Sequence, residues 1–251
     1  MSNYRLPLNS VPQRYRSPIG GQFALAALSQ NAPTPFPSSI PGLLARYKAE
    51  ATGVVLTNGK VSSWLDQSGN NNHAAQTVST NQPILVANAL NQLSAIRFDG
   101  NDTLSLTTAL TNQTFTIFCI LKSANSQPLT LLSAGGGSFQ YRIHTLKQEL
   151  VKAAVALVGT GNTTMLSSTF NQINITYSTP TLSFRTNSIS DGIRNSPSTF
   201  NTPTINRIGM NGASSDEFFV GDIVELLIYT ALNLEQIQAI EAYLSSRMSI
   251  N

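Results

Sequence analysis

Residues 95–122 read AIRFDGNDTLSLTTALTNQTFTIFCILK, in which short apolar runs alternate with turn-forming residues. In the first run Ile96 and Phe98 are two positions apart, so an extended chain places both on one face. The Asp-Gly and Asn-Asp pairs at 99–102 are typical of hairpin turns, because these residues tolerate the positive φ that such turns need. The stretch therefore predicts antiparallel β-strands, each with one face in a hydrophobic core.

The same pattern of short β-rich runs between Gly, Asn, Ser and Pro residues continues from residue 42 almost to the end of the chain. Many short strands with frequent turns predict a sandwich or a barrel, and 251 residues with 41% hydrophobic content suffice for one such domain. We therefore expect one main domain over residues 42–251. Alternation predicts inward-facing side chains at Ile96, Phe98, Phe115, Ile117, Cys119, Leu121, Val224, Leu226 and Ile228.

Charge is scarce and unevenly distributed. Only 11% of the residues are charged, whereas about 25% is usual. Residues 1–49 contain five basic and no acidic residues, a charge of +5, and the remainder has ten basic and twelve acidic residues, a charge of −2. The nearly neutral body argues against nucleic acid as a partner. No apolar run approaches the roughly 20 residues of a membrane span, so no membrane partner is predicted.

The N-terminal segment, residues 1–41, differs from the body because it holds seven of the twelve prolines. Proline removes backbone donors and fixes φ, so this segment cannot build a core of its own. We predict an extended basic arm that is held against its own domain or a partner, with a disordered leader as the alternative. The residues predicted to dock the arm are Arg5, Leu6, Leu8, Val11, Arg14, Arg16 and Phe23.

A helical pattern occurs once, in ALNLEQIQAIEAYLSSRM near the C-terminus. Asn233 is a suitable N-cap and Glu235 suits the first turn, where acidic side chains interact favourably with the helix dipole. The sequence predicts one helix over residues 233–248 that packs against the sandwich. Its predicted buried face consists of Leu234, Ile237, Ile240 and Leu244.

Five segments, taken in order, resemble the laminin-G-like and concanavalin A-like jelly rolls of bacterial and bacteriophage surface proteins. The resemblance covers residues 42–248 and implies an all-β, two-sheet antiparallel jelly-roll sandwich, to which the arm and one C-terminal helix are added. This fold hosts lectins, glycanases, adhesion modules and structural domains, so it implies no single function. The segments are ARYKAE at 45–50, VSSWLDQSGNNNHAAQ at 61–76, AIRFDGNDTLSL at 95–106, INRIGMNG at 205–212 and GDIVELLIYTALNLEQIQAIEAYLSSR at 221–247.

Two polar stretches, residues 64–76 and residues 97–102, are candidates for a metal or sugar site. A calcium site needs six or more oxygen ligands, usually with several carboxylates, and the loop at 64–76 offers Asp66 as its one charged residue. Both stretches are also typical turns, which we favour, so that no cofactor is predicted and calcium is the less favoured alternative. The candidate ligand-binding residues are Asp66, Asn70, Asn72, His73, Asp99 and Asp102.

Enzyme motifs are missing from the sequence. Glycanases of this fold place two carboxylates on one strand face, which requires a spacing of two or four residues, and no pair among the twelve acidic residues has it. Asp222 and Glu225 are three apart and are predicted to point to opposite faces. HExxH, Cys-His and G-x-S-x-G patterns are absent as well. We therefore predict a protein without catalytic residues.

Two functions are consistent with these features. The first, which we favour from the sequence, is a structural virion protein, a bacteriophage capsid decoration or cement protein whose arm, residues 1–41, docks on shell subunits. The second is a glycan-binding adhesin or tail-fibre module with a lectin-like sandwich. The first predicts a virion surface, assembled in the host cytoplasm, and the second an extracellular or cell-surface position. Self-association into a homo-oligomer is compatible with both.

Overall fold

A computed structural model describes residues 37–124, 128–135, 138–152, 156–178, 180–195, 203–212 and 217–249. These residues form seventeen strands, one α-helix and three short 3-10 helices, the latter at Pro37–Ser39, Ala51–Gly53 and Ser79–Asn81. The first nine strands are β1 (Leu43–Lys48), β2 (Val54–Thr57), β3 (Lys60–Trp64), β4 (Ala74–Ala75), β5 (Ile84–Leu90), β6 (Leu93–Asp99), β7 (Leu104–Thr111), β8 (Thr114–Ser123) and β9 (Leu129–Ser133). The others are β10 (Gln140–His144), β11 (Lys147–Lys152), β12 (Ala156–Thr160), β13 (Asn171–Ser178), β14 (Thr181–Thr186), β15 (Ile189–Asn195), β16 (Thr204–Ile208) and β17 (Val220–Tyr229), and α1 is Leu234–Met248.

The strands pair antiparallel in two runs. The helix layer has the order β1, β17, β8, β13, β14 and β15, and β6 also pairs with the first part of β17. The front layer has the order β12, β11, β10, β9, β16, β7, β4, β3 and β2. Strand β5 pairs with β6 on one side and with β3 on the other, which joins the two layers into one continuous, nearly barrel-like sheet.

The main hydrophobic core lies between the two layers. It contains Ile117 and Ile175 of the helix layer together with Tyr141 and Leu150 of the front layer, all fully buried. The prediction of an all-β fold with one C-terminal helix is confirmed. The predicted pair of sheets differs from the structure in one respect, because β5 hydrogen-bonds to both layers and leaves no break between them.

Eight of the nine side chains that were predicted to face inward belong to this core, and Val224 does not. Val224 lies in a second cluster on the outer face of the helix layer, among Phe118, Ile120 and the helix residues. The reason is a β-bulge between Ile223 and Glu225, which shifts the alternation of β17 by one residue. Sequence alternation alone assumes a regular strand and therefore misplaced Val224.

The bulge also corrects the predicted orientation of two acidic residues. Asp222 pairs with Lys122 and Glu225 pairs with Ile120, and these two partners are two positions apart on β8. Directly paired residues share a face of the sheet, so Asp222 and Glu225 both lie on the outer face of the helix layer. The prediction that they point to opposite faces is wrong.

The terminal helix begins with a capping box. The Asn233 side chain accepts a hydrogen bond from the Gln236 backbone N–H at 2.9 Å, and the Gln236 side chain accepts one from the Asn233 N–H at 3.0 Å. Ile237, Ile240 and Leu244 are buried against the helix layer as predicted. Leu234 is 57% exposed, contrary to prediction, because Leu232, which precedes the helix, occupies that end of the cluster.

None of the helices in the described ranges has the length and apolar character needed to cross a membrane.

Replacing Ile240 with Asp should lower the free energy of unfolding by several kcal/mol, on the order of a lost core side chain plus the burial of a charge. Leu234→Asp is the matched control, since it introduces the same charge at an exposed position of the same helix. Chemical denaturation of both variants measures the difference. Equal stabilities would show that the helix does not pack through Ile240.

Candidate ligand-binding site

An open depression of about 430 Å³ lies on the outer side of the helix layer, at the end where β6, β8 and β17 meet. Residues of these three strands and Ser167, from the segment between β12 and β13, form its wall. Its volume is within the range of about 300–1,000 Å³ that is usual for small-molecule sites.

Three charged side chains dominate the depression. The Asp222 carboxylate accepts hydrogen bonds from Arg97 Nε at 2.7 Å and Nη2 at 3.0 Å, and it forms an ion pair with Lys122 Nζ at 3.0 Å. Asp222 is 2% exposed, whereas Arg97 and Lys122 are 44% and 33% exposed. Burial alone would raise the pKa of Asp222, but the hydrogen bonds from the two cations outweigh it and hold the pKa below its usual value.

Other groups complement this trio. The Lys122 ammonium lies 5.1 Å from the centre of the Phe170 ring, a cation–π contact that helps to fix its position. Asp99 adds a second carboxylate and Ser167 a hydroxyl, while Val220 adds apolar surface. The wall therefore offers donors, acceptors and apolar contact side by side.

Gly221 allows β17 to approach β8 closely at the depression. A Cβ atom on this residue would lie 2.2 Å from the Lys122 carbonyl oxygen, and its φ is +154°. Any larger residue would push the strands apart and displace the neighbouring Asp222 and Lys122 side chains.

The polar loop at 64–76 is folded against β1, and none of its residues lines the depression. One oxygen of Asp66 accepts hydrogen bonds from the backbone N–H of Arg46 at 2.8 Å and of Ser68 at 2.9 Å. The other accepts from the Ser68 hydroxyl at 2.8 Å and the Asn72 backbone N–H at 2.9 Å. Both oxygens of this carboxylate thus organise the loop itself.

The other three candidates of this loop also bond nearby. His73 Nδ1 accepts a hydrogen bond from the Asp66 N–H at 3.0 Å. The side-chain amides of Asn70 and Asn72 donate to the carbonyl oxygens of Leu43 at 2.9 Å and Leu44 at 2.8 Å. A role of these residues in ligand binding stays a prediction.

Asp99 and Asp102 occupy the turn between β6 and β7. Asp102 Oδ2 accepts a hydrogen bond from the Asp99 N–H at 2.9 Å, and Asp99 Oδ1 accepts one from the Asn101 N–H at 3.3 Å. Asp99 lines the depression and Asp102 does not. Among the described residues, no three His, Cys, Asp or Glu side chains come together as a potential metal site.

Two further carboxylates meet on the front layer. Arg142 Nε donates to Glu149 at 2.8 Å and its Nη1 to Glu217 at 3.2 Å. Glu217 also accepts a hydrogen bond from the Asn211 amide at 2.8 Å. The search for acidic residues two or four positions apart could not find this pair, because Glu149 is on β11 and Glu217 precedes β17. Both carboxylates are bound to the same guanidinium group.

Sequence reasoning missed Arg97, Lys122 and Asp222, which come from three strands far apart in the chain. The available signal was a charged residue within each of three largely apolar strands. The predicted docking residues of the arm, Arg5 to Phe23, lie outside the described residues.

No known protein family and no curated protein matches this sequence. Solved structures do resemble the fold. Domain 4 of the GH43 extracellular arabinanase AbnA from Geobacillus stearothermophilus, in complex with arabinotriose, has a TM-score of 0.59 and 14% identity over 80% of this chain and 98% of that one.

The binding domain of Paraclostridial Mosquitocidal Protein 1 has a TM-score of 0.57 and 12% identity over 85% of this chain and 54% of that one. The ligand-binding domain of botulinum neurotoxin serotype D, in complex with N-acetylneuraminic acid, has a TM-score of 0.57 and 12% identity over 80% of this chain and 51% of that one. The chain thus spans nearly all of the first structure and about half of the other two. At these identities the likeness shows the fold alone.

Gly221→Ala should cost about 2–5 kcal/mol of folding free energy, because the new methyl group meets backbone that cannot move aside cheaply. The matched control is Gly59→Ala. Gly59 has φ +79° and nothing within 4 Å of its Cβ position, so only local strain of about 1–2 kcal/mol is expected. Urea denaturation compares the two, and equal costs would contradict the close approach of β17 and β8.

Proposed function

We propose that the described domain binds carbohydrate and that the ligand lies in the depression formed by β6, β8 and β17. The observation that carries the proposal is the Arg97–Asp222–Lys122 trio, a rigidly held set of charged groups at the wall of an open cavity. Because Asp222 is shared by two cations that remain partly exposed, unused N–H groups of Arg97 and Lys122 face solvent. Donors held in this way are suited to hydrogen-bond a ligand without first losing side-chain freedom.

The balance of charge favours a neutral, polyhydroxylated ligand. Arg97 and Lys122 contribute two positive charges, and Asp99 and Asp222 contribute two negative charges, so the formal charge of the wall is zero. A sugar hydroxyl both donates and accepts hydrogen bonds, and it finds both kinds of partner here. Val220, which is partly exposed, offers apolar contact to the C–H face of a sugar ring.

The comparisons support this proposal at the level of fold. Two of the similar structures were solved with sugars, arabinotriose and N-acetylneuraminic acid. A lectin-like sandwich is therefore a scaffold on which sugar sites occur, and the depression is the location that we assign to such a site in this chain.

We further propose that the domain binds its ligand without hydrolysing it. A general acid for glycoside hydrolysis needs a raised pKa and contact with the ligand. Asp222 lines the depression, but its two cations keep its pKa low. Asp102 has its pKa raised to about 6 by burial and by Asp99, yet it does not line the depression. Neither Asp222 nor Asp102 therefore meets both requirements.

The exposed Ser167 permits a steric test that leaves the core untouched. Ser167→Trp should fill part of the depression and lower glycan affinity at least about tenfold, whereas Ser168→Trp, also exposed and not part of the wall, should leave affinity unchanged. Wild type is first applied to an array of neutral and acidic glycans that includes arabinotriose and N-acetylneuraminic acid. Calorimetry with a retained glycan then compares the variants.

Failure of the wild type to retain any glycan would contradict the proposed function. Equal affinities of the two tryptophan variants would contradict the proposed location.

The role as a virion decoration protein is a separate proposal that concerns residues 1–41 and shell subunits. The described end of this segment bonds to the body, since the Tyr229 hydroxyl donates to the Pro37 carbonyl at 2.8 Å and Ile40 is buried beside the helix. Deleting residues 2–36 should therefore leave the body folded and abolish co-sedimentation with particles that lack this protein. Undiminished co-sedimentation of the truncated chain would contradict arm docking.

A further inference from the structure

Two carboxyl groups lie near each other where β6 ends and the turn to β7 begins, those of Asp99 and Asp102, because the Asp99 N–H donates to the Asp102 side chain at 2.9 Å. Asp102 is 2% exposed. Its Oδ2 accepts the Asp99 N–H, whereas its Oδ1 is buried and has no hydrogen-bond partner among the described atoms. A buried, ionised oxygen without a donor is costly, and a neighbouring carboxylate increases the cost.

Either a proton or a cation could neutralise such a pair. A calcium ion needs six or more oxygen ligands, usually with more than two carboxylates, and the described residues contain no group of three potential ligands. The positive charge of Lys60 also acts on Asp102, which disfavours a second cation there. A shared proton needs none of these ligands and would give Asp102 Oδ1 a hydrogen bond to Asp99.

Asp99 connects this pair to the depression, because Asp99 is part of the wall and its N–H is bound to Asp102, which is buried and not part of the wall. When Asp102 carries the proton, its O–H can donate to Asp99 and hold that carboxylate in the wall as an acceptor. When both groups are ionised, repulsion drives the exposed Asp99 side chain away. We propose that glycan binding in the depression is coupled to a proton shared by Asp99 and Asp102, and that it is stronger when the proton is present.

This inference rests on the proposed carbohydrate function. The pH range over which glycan affinity should change follows from the surroundings of Asp102. The charged groups that act on it are Asp99 on β6 and Lys60 on β3. The neighbours on the β16 side, Ile208 and Gly209, are uncharged. Burial, followed by the charge of Asp99, outweighs Lys60 and raises the pKa of Asp102 to about 6.

The shared proton also predicts a pH effect on stability that needs no ligand. A carboxyl group whose pKa is raised on folding binds its proton more tightly in the folded than in the unfolded chain. Its contribution to stability is therefore present at low pH and falls as the pH rises from about 4, the unfolded value, to about 6. Asp102→Asn removes this contribution.

The experiment compares wild type, Asp102→Asn and the control Glu235→Gln, which removes one negative charge at an exposed helix position. Urea midpoints are measured between pH 4 and pH 7.5 in the presence of a chelator, and affinity for the glycan retained by wild type is measured between pH 5 and pH 7.5. Wild type and Glu235→Gln should lose at least about fivefold in affinity over this range. The affinity of Asp102→Asn for the glycan should not change with pH. Its urea midpoint should fall less than that of wild type as the pH rises.

Asp99→Asn serves as the second variant if Asp102→Asn does not fold. It removes the partner of the shared proton and should flatten the affinity profile, whereas the burial of Asp102 should preserve part of the fall of the urea midpoint. Identical affinity profiles of wild type and the Asn variants would overturn the coupling. A stabilisation of wild type by calcium that the variants lack would show that a cation, rather than a proton, neutralises the pair. If no glycan binds, the proposed function fails together with the coupling, while the urea midpoints still show whether the proton is shared.

Discussion

The buried carboxylate of Glu225 fixes how the helix, β1 and β17 fit together. Glu225 is completely buried, and its oxygens lie 2.9 Å from Arg46 Nη2 and 2.7 Å from Arg247 Nε. The Tyr243 hydroxyl lies 3.3 Å from the same carboxylate. Removing one partner from a buried ion pair leaves an uncompensated charge and typically costs about 3–5 kcal/mol. Any displacement of the helix that separates Arg247 or Tyr243 from Glu225 would therefore be costly.

The bulge in β17 makes this arrangement possible and also creates the depression. Because of the bulge, Asp222 and Glu225 share the outer face of the helix layer. The helix covers the part of that face around Val224 and Leu227, and the end that carries Asp222 stays open beside Arg97 and Lys122. The bulge thus divides the outer face of β17 into two parts. The helix covers one part, and the other is accessible and carries hydrogen-bonding groups.

The sequence predicts the fold well where regular periodicity determines the structure. The alternation of Ile117, Cys119 and Leu121 identifies the core face of β8, and Asn233 marks the start of the helix. It fails at Val224, because nothing in the local sequence announces a bulge. The depression could not be predicted for a related reason: Arg97, Lys122 and Asp222 meet only through the pairing of β6, β17 and β8. Pairing of distant strands depends on the whole fold rather than on local pattern.

We propose that a carbohydrate binds beside the Arg97–Asp222–Lys122 trio, and a titration of isotope-labelled protein with a retained glycan, followed by backbone amide chemical shifts, tests this binding directly. If the glycan lies in the depression, the largest shift changes should cluster at Arg97, Ser123 and Gly221, which line it. Changes centred instead on the loop at 64–76 or on Arg142 of the front layer would contradict the proposal.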